Sequence, residues 1–263
     1  MKISNSGIQT FKSCPRMYEL RYKYGLIPVE TSNAIERGLS YHAGLERLLN
    51  MIKYEEAPKD QFDEVSPKVA AMLCAFGEKA VPKLNSMGVH IAETEKWFEY
   101  QTESGHTVVG RLDGVTDKGD VVEHKSTSGL IDGVYLQRLQ FDEQIPTYML
   151  ATGAEQVFYT VCSTPPIRQK KGESDEDFIV RCVSWFDEDF ERKIDVIPIW
   201  KTFTELKEFA EAQDRIITHI EKCKDFYRNP NHCMKWGRLC EYAPICFEKD
   251  LERDFVNFKR KEI

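Results

Sequence analysis

Apolar positions at Leu39, His42, Leu45, Leu49 and Ile52 recur every three or four residues, and this spacing predicts a helix over 34–53 with a single face. Residues 5–24 read as an earlier helix, with Ile8, Phe11 and Met17 among its apolar positions. A polar linker over 54–67 leads to a further helix at 68–86. The period then changes. Three β-rich runs, 94–101, 106–115 and 120–126, are separated by turn signals at Ser104-Gly105 and Lys118-Gly119. A helix is predicted over 134–151, an apolar strand over 157–163, a polar loop from 165, and a strand over 177–185. Leu206, Phe209, Gln213, Ile216, Ile217 and Ile220 mark a last long helix, and the chain past 226 reads as irregular. Helices, a β-meander, then helix and strand describe an α/β or α+β sheet with helices on its faces.

Composition changes this picture little. A chain of 263 residues, 41% hydrophobic and 30% charged, suits one elaborated globular domain. No apolar run reaches the ~20 residues that span a bilayer, and the first twenty residues lack an apolar h-region. The expectation is a cytoplasmic, reducing location with no membrane partner. Disulfides are then not expected among the eight cysteines. Cys74, Cys162, Cys182 and Cys223 are scattered and read as structural, whereas Cys233, Cys240 and Cys246 cluster. The net charge of −7 speaks mildly against a nucleic-acid partner. Its distribution is uneven, however. Lys2, Lys12, Arg16, Arg21 and Lys23 are interleaved with Tyr18, Tyr22 and Tyr24. That pattern suits phosphate and base contacts, although a surface helix with inward tyrosines explains it as well and is the favoured reading.

Chemistry concentrates in GRLDGVTDKGDVVEHKS. Alternate side chains of a strand share a face, so Glu123 and Lys125 point one way and His124 the other. A tight turn can bring Asp113 beside them. Two adjacent carboxylates repel unless a cation separates them, and hard oxygen ligands suit Mg2+ or Mn2+. A nearby lysine can orient or deprotonate water and stabilise charge on a phosphate. By itself an E-x-K tripeptide is common, and surface charges joined by a salt bridge are the ordinary explanation.

Four elements in order alter that balance: G38-L-S-Y-H42, G110-R-L-D113, E123-H-K125 and Q144-I-P-T-Y148. In this the chain resembles the PD-(D/E)XK nucleases, in particular the RecB-like branch, over roughly residues 1–150 and the cysteine tail. The resemblance implies an α/β core with a central mixed sheet flanked by helices, extended by cysteine-bearing N- and C-terminal segments. It implies an N-terminal arm over 1–30, a nuclease core over 31–225 and a cysteine-rich clasp over 226–263. His42, Asp113, Glu123 and the backbone carbonyl of His124 would hold the metal, with a hydrogen-bonded core histidine as the alternative for His42. Lys125 would be the catalytic lysine, and Gln144 and Tyr148 would share a helix face beside it. Leu112 stands before the aspartate where a proline is usual, a substitution the RecB-like branch commonly accepts; one departure is Pro146, which should kink its helix or begin a new turn. Glu95, Glu99 and Arg111 are further candidates whose ordinary reading is solvated strand charge.

Cys14, within FKSCPR, and the trio Cys233, Cys240 and Cys246 resemble the four-cysteine site of one RecB-like branch, which implies a [4Fe–4S] cluster clasping the chain ends. The spacing between Cys233 and Cys240 departs from that pattern. Zn2+ suits four thiolates as well, with His232 as a substitute ligand. The resemblance implies a metal-dependent DNA exonuclease acting on single- or double-stranded ends in recombination, repair or phage DNA processing. A separate helicase or recombination partner is implied, because no G-x-x-x-x-G-K-[ST] is present. The alternative is a non-catalytic DNA-binding subunit with a nuclease-like fold.

Overall fold

The computed structural model describes residues 1–29, 32–53, 65–247 and 258–260. Strand β1 (Lys2–Ser4), helices α1 (Asn5–Ser13) and α2 (Pro15–Tyr18) and strand β2 (Leu26–Pro28) lead to the long helix α3 (Asn33–Lys53). Helices α4 (Pro67–Ala75) and α5 (Val81–Ser86) precede strands β3 (Ile91–Gln101), β4 (Thr107–Thr116) and β5 (Val121–Thr127). Helices α6 (Gly133–Leu139) and α7 (Gln144–Thr152) are followed by β6 (Val157–Ser163), α8 (Asp175–Asp187) and β7 (Ile194–Ile199). Helices α9 (Phe203–Lys222), α10 (Pro230–Cys233) and α11 (Ala243–Phe247) and strand β8 (Phe258–Arg260) complete the chain. The chain forms two compact units, Met1–Ser32 with Glu99–Gly110 and Lys207–Ile263, and Asn33–Phe98 with Arg111–Leu206.

The second unit is built on a mixed sheet. Strand β3 pairs with β4, β4 runs antiparallel to β5, β5 parallel to β6, and β6 antiparallel to β7. The parallel step requires a crossover, which α6 and α7 supply. Period-two alternation then fills both faces. Val122, Phe158 and Val196 pack with Tyr41, Leu45 and Phe76 on one side. Leu112, Val121, Tyr159 and Val161 pack with Ile145, Tyr148 and Met149 on the other. This is the α/β core, a central mixed sheet between helices, that the sequence led one to expect. Leu39, which the periodicity assigns to the apolar face of α3, is exposed, while Tyr41 is fully buried.

In the first unit β1 lies parallel to the start of β4, and Ile8, Phe11, Tyr18 and Val108 pack against Ile217, Ile220 and Phe226. The N-terminal arm and the tail are tied by Asn229 Nδ2 donating to Ser13 O at 2.8 Å and Tyr242 Oη to Leu26 O at 2.9 Å. Tyr18 is buried and stacks on Tyr22 at 5.2 Å, while Arg16 pairs with Glu19 and Arg21 with Glu241. In this arm Tyr18 packs inward and Arg16 and Arg21 are ion-paired, while Tyr24 is exposed and Lys23 lies over the Phe226 ring. Among the described residues no helix is long and apolar enough to cross a membrane.

Several predicted elements differ. The helix expected over 5–24 breaks at Cys14, whose extended backbone (φ −160°, ψ 109°) is what a following proline favours. The helix expected over 134–151 is two helices. Pro146 is the third residue of α7, where a helix has no internal partner for its N–H, so the proline marks a start and causes no kink. The strand expected over 177–185 is helix α8. Ser174 Oγ caps it through Asp177 N at 3.1 Å, Asp175, Glu176 and Asp177 complement its first turn, and Phe178, Cys182 and Phe186 bury one face at a spacing of four. The β-forming composition of that stretch concealed this period. Strand β7 lay unread in IDVIPI, and the tail past 226 holds short helices. Of the predicted linker, residues 54–64 lie outside the described residues.

Candidate functional site

The β4–β5 ladder pairs Gly114 with Val122 and Val115 with Val121. Gly114 is packed tightly: a Cβ there would stand 3.3 Å from Val122 Cβ and Ile91 Cγ2. Past Gly114 the Asp113 carboxylate, rather than a backbone carbonyl, takes the next amide, accepting from His124 N at 2.8 Å. His42 Nδ1, carried by α3, lies 3.4 Å from the same Asp113 oxygen. Burial opposes ionisation of Asp113, but the His42 ring and the His124 amide outweigh it and hold the carboxyl at about 2. Burial likewise disfavours protonated His42, and Asp113 with Glu123 reverses this, raising its pKa.

Glu123 and Lys125 alternate with Val121, so both reach the α7 side of the sheet. Glu123 is 2% exposed. Its Oε1 accepts from Lys125 Nζ, while its Oε2 has no hydrogen bond among the described residues. Burial pushes this carboxyl up to about 7, against the pull of Lys125 and with the help of Asp113. Lys125 Nζ also donates to Gln144 Oε1 at 2.5 Å, and Gln144 Nε2 donates to Tyr148 Oη at 2.9 Å. Burial works against the ammonium, and Glu123 restores it, so the Lys125 pKa is raised.

Two residues that the motifs did not single out hold this chain of contacts. Asp142 Oδ1 accepts from Gln144 N at 2.9 Å, and its Oδ2 accepts from Tyr159 Oη at 2.6 Å. An Asp two residues before a helix start was the available signal for the first. Nothing local marked Tyr159, which is fully buried on β6.

His124 behaves as the strand alternation requires. Its ring meets the edge of Phe76 at 5.4 Å and shares a hydrogen bond of 2.6 Å with Thr160, and burial lowers its pKa to about 4. The ring is a neutral core group, and the amide is what reaches the site. Glu95 is largely buried and ion-pairs with Arg111, unlike a solvated strand charge. Glu99 pairs with Lys2, both exposed, in the unit that does not contain Asp113.

Among the described residues no three His, Cys, Asp or Glu side chains form a ready metal-holding group. The donors nevertheless suit a divalent cation. A buried carboxylate oxygen without a donor is costly unless a cation meets it, and Glu123 Oε2 is such an atom on the carboxylate next to Asp113. In the first unit, Cys14, Cys233, Cys240 and Cys246 line one small cavity with Met17, Leu20 and His232. Cys240 N donates to Cys233 O at 2.8 Å. The Cys240 thiol is raised by burial, then by neighbouring charge including Cys14 and Cys233. Thiolates are the ligand type of sulfur-ligated centres, but no three of these side chains stand close enough together to hold an ion as they are placed.

A family model described as the PD-(D/E)XK nuclease superfamily matches residues 2–247. Among solved structures, a candidate exonuclease from Eubacterium rectale is 12% identical, covering 83% of this chain and 79% of that one, with a TM-score of 0.51. A phage-related exonuclease from Haemophilus somnus 129PT is also 12% identical, covering 84% and 93%, with a TM-score of 0.42. At 12% identity the likeness to the Eubacterium rectale protein concerns the fold alone. No curated protein sequence matches the chain.

Proposed function

Since the chain belongs to the PD-(D/E)XK nuclease superfamily, we propose that it is a metal-dependent deoxyribonuclease of the RecB-like branch, trimming DNA from its ends. The observation that carries this reading is the junction of Lys125 with Glu123 and Gln144, next to an Asp113 held ionised by His42 and the His124 amide. Surface charges forming an incidental bridge would not be buried, nor would they be held by a helix and two strands.

Nucleases of this superfamily generally use divalent metals such as Mg2+ or Mn2+. His42, Asp113, Glu123 and the His124 carbonyl would hold the ion, which supplies charge stabilisation to a phosphodiester during hydrolysis. Lys125 Nζ has three protons, two directed at Glu123 and Gln144. The third can orient the attacking water or meet charge on the phosphate. Gln144 fixes where Nζ stands, Tyr148 fixes Gln144, and Asp142 anchors the start of α7. As water adds to phosphorus and the ester P–O bond breaks, the leaving oxygen takes up a proton.

Cys14, Cys233, Cys240 and Cys246 would hold a [4Fe–4S] cluster, with Zn2+ as the alternative. Either would join the two chain ends of the first unit, which Asn229 and Tyr242 already tie.

The test is degradation of end-labelled linear DNA, single- and double-stranded, by anaerobically purified protein with Mg2+, Mn2+ or EDTA. Metal-dependent trimming by wild type and none by Lys125→Ala is expected. Two inert but folded, DNA-binding proteins would replace this reading with that of a binding subunit.

A further inference from the structure

Two backbone hydrogen bonds fix the β3–β4 pairing, Thr102 N to His106 O and Asp117 N to His90 O. They lie twelve steps apart along β3 and eleven along β4, so β3 contains a bulge. Glu95, in mid-strand, has φ +53°, a left-handed backbone that strains any residue with a side chain. Bulges next to functional sites re-aim side chains, and an observed outlier of this kind licenses a search for what it achieves.

The result is visible in three side chains. The Glu95 carboxylate turns inward, 16% exposed, and ion-pairs with Arg111 Nε. Arg111 leaves its guanidinium half exposed, its central carbon 6.0 Å from the centre of the Trp97 ring. Trp97 is 72% exposed although it is the largest kind of apolar side chain. Arg111 precedes Asp113 by two residues on β4, so both project from one face of the sheet, roughly 7 Å apart along the strand. An indole and a pinned guanidinium thus form a flat, outward-facing pair beside the cleavage site. Neither has another ion-pair or ring partner among the described residues.

We infer that Trp97 and Arg111 form a platform for one unpaired nucleotide next to the bond to be cut, making single-stranded or frayed DNA ends the preferred substrate. This rests on the nuclease reading. An indole face is a sequence-tolerant stacking surface for a base, and a guanidinium offers N–H groups to the neighbouring phosphate. A base within duplex DNA has both faces stacked already and nothing to offer Trp97. The Glu95–Arg111 ion pair keeps the guanidinium tethered beside Trp97. A glycine at position 95 would relieve the backbone and release Arg111.

Tryptophan emission and labelled-oligonucleotide anisotropy test this in EDTA, where no cutting occurs. A short oligothymidylate should quench wild-type emission, and the corresponding duplex should not. Trp97→Phe should lose the quenching while keeping most of the binding seen by anisotropy. Trp97→Ala should weaken single-strand binding roughly 5- to 150-fold, the loss of one stacked base, and should lower the ratio of single- to double-strand cleavage. Arg111→Gln should shift that ratio in the same direction. Unaltered quenching in Trp97→Phe, or an unaltered cleavage ratio in Trp97→Ala, overturns the inference while wild type still cuts and Lys125→Ala does not. A wild type that cuts no DNA with any metal removes the nuclease reading instead.

Discussion

Replacing Lys125 with methionine removes a buried ammonium and keeps most of its stem, so its consequences fall on Glu123. That carboxyl stands at about 7 in the folded protein and near 4.5 when unfolded, burial being the main cause. The folded value is the higher one, so the bound proton favours the folded state. That contribution is complete below about pH 4.5 and is lost as pH rises through the folded value. Each pH unit in the window is worth about 1.4 kcal/mol, so wild type loses roughly 3 kcal/mol from this group and then levels off. Without Lys125 its charge and its hydrogen bond no longer pull Glu123 down, only His42 still does, and the window extends upward. Below about pH 6 the variant should differ from wild type by a pH-independent amount, from packing and the lost contact with Gln144. By about pH 8.5 it should have lost roughly 2 kcal/mol more. Urea unfolding at both pH values, with equal m-values, measures the difference. Adding Glu123→Gln to Lys125→Met should abolish the extra slope. A stability gap that is the same at both pH values would refute the argument, because Glu123 would then not be a buried carboxylate leaning on Lys125.

The shell around the site can be tested in the same way. Asp142→Ala frees the Gln144 amide and the Tyr159 hydroxyl, and should lower cleavage of end-labelled DNA about tenfold or more, with Asp142→Asn recovering part of it; equal activity in all three proteins would exclude a positioning role. In Gly44→Ala the new methyl would stand 2.5 Å from Leu73 Cδ1, so overpacking should cost about 1–3 kcal/mol by thermal melting despite the better helix propensity of alanine. A raised melting temperature would mean that α3 and α4 do not pack as described. On the proposed [4Fe–4S] assignment, Cys240→Ser should reduce iron and acid-labile sulfide per chain and lower the melting temperature. Zinc without sulfide in wild type would assign the centre to Zn2+.

Short patterns carried the site in the sequence, whereas the elements around it depended on distant contacts. Asp113, Glu123 and Lys125 are close in the chain, and strand alternation alone puts Glu123 and Lys125 on one face, which is why His124 could be separated from its neighbours. Gln144 was also legible, and Pro146 even marked the first turn that places it. Asp142 and Tyr159 were not, because they meet only when β6 is laid parallel to β5. Helix α8 was misread as a strand for a related reason. Phe178, Val180, Val183 and Trp185 suit either structure, and the cap at Ser174 decides between them. The strain at Glu95 leaves no trace in composition at all.

The two sides of the sheet contribute different things to the centre. Tyr41 and Leu45 bury α3 on one side, and His42 on the same helix meets Asp113 there. Ile145, Tyr148 and Met149 bury α7 on the other, and Gln144 meets Lys125 there. Packing therefore sets a histidine and an aspartate from one side, and a glutamate and lysine from the other. They can converge only where the sheet itself is open, and the ladder between β4 and β5 stops at Gly114 and Val122, one residue short of Asp113 and Glu123. A continued ladder would bring the strands into register through those two positions and give His124 N a backbone acceptor. Asp113 would then lose the amide that helps hold it ionised, so the end of the β4–β5 pairing is what lets His124 N reach that carboxylate.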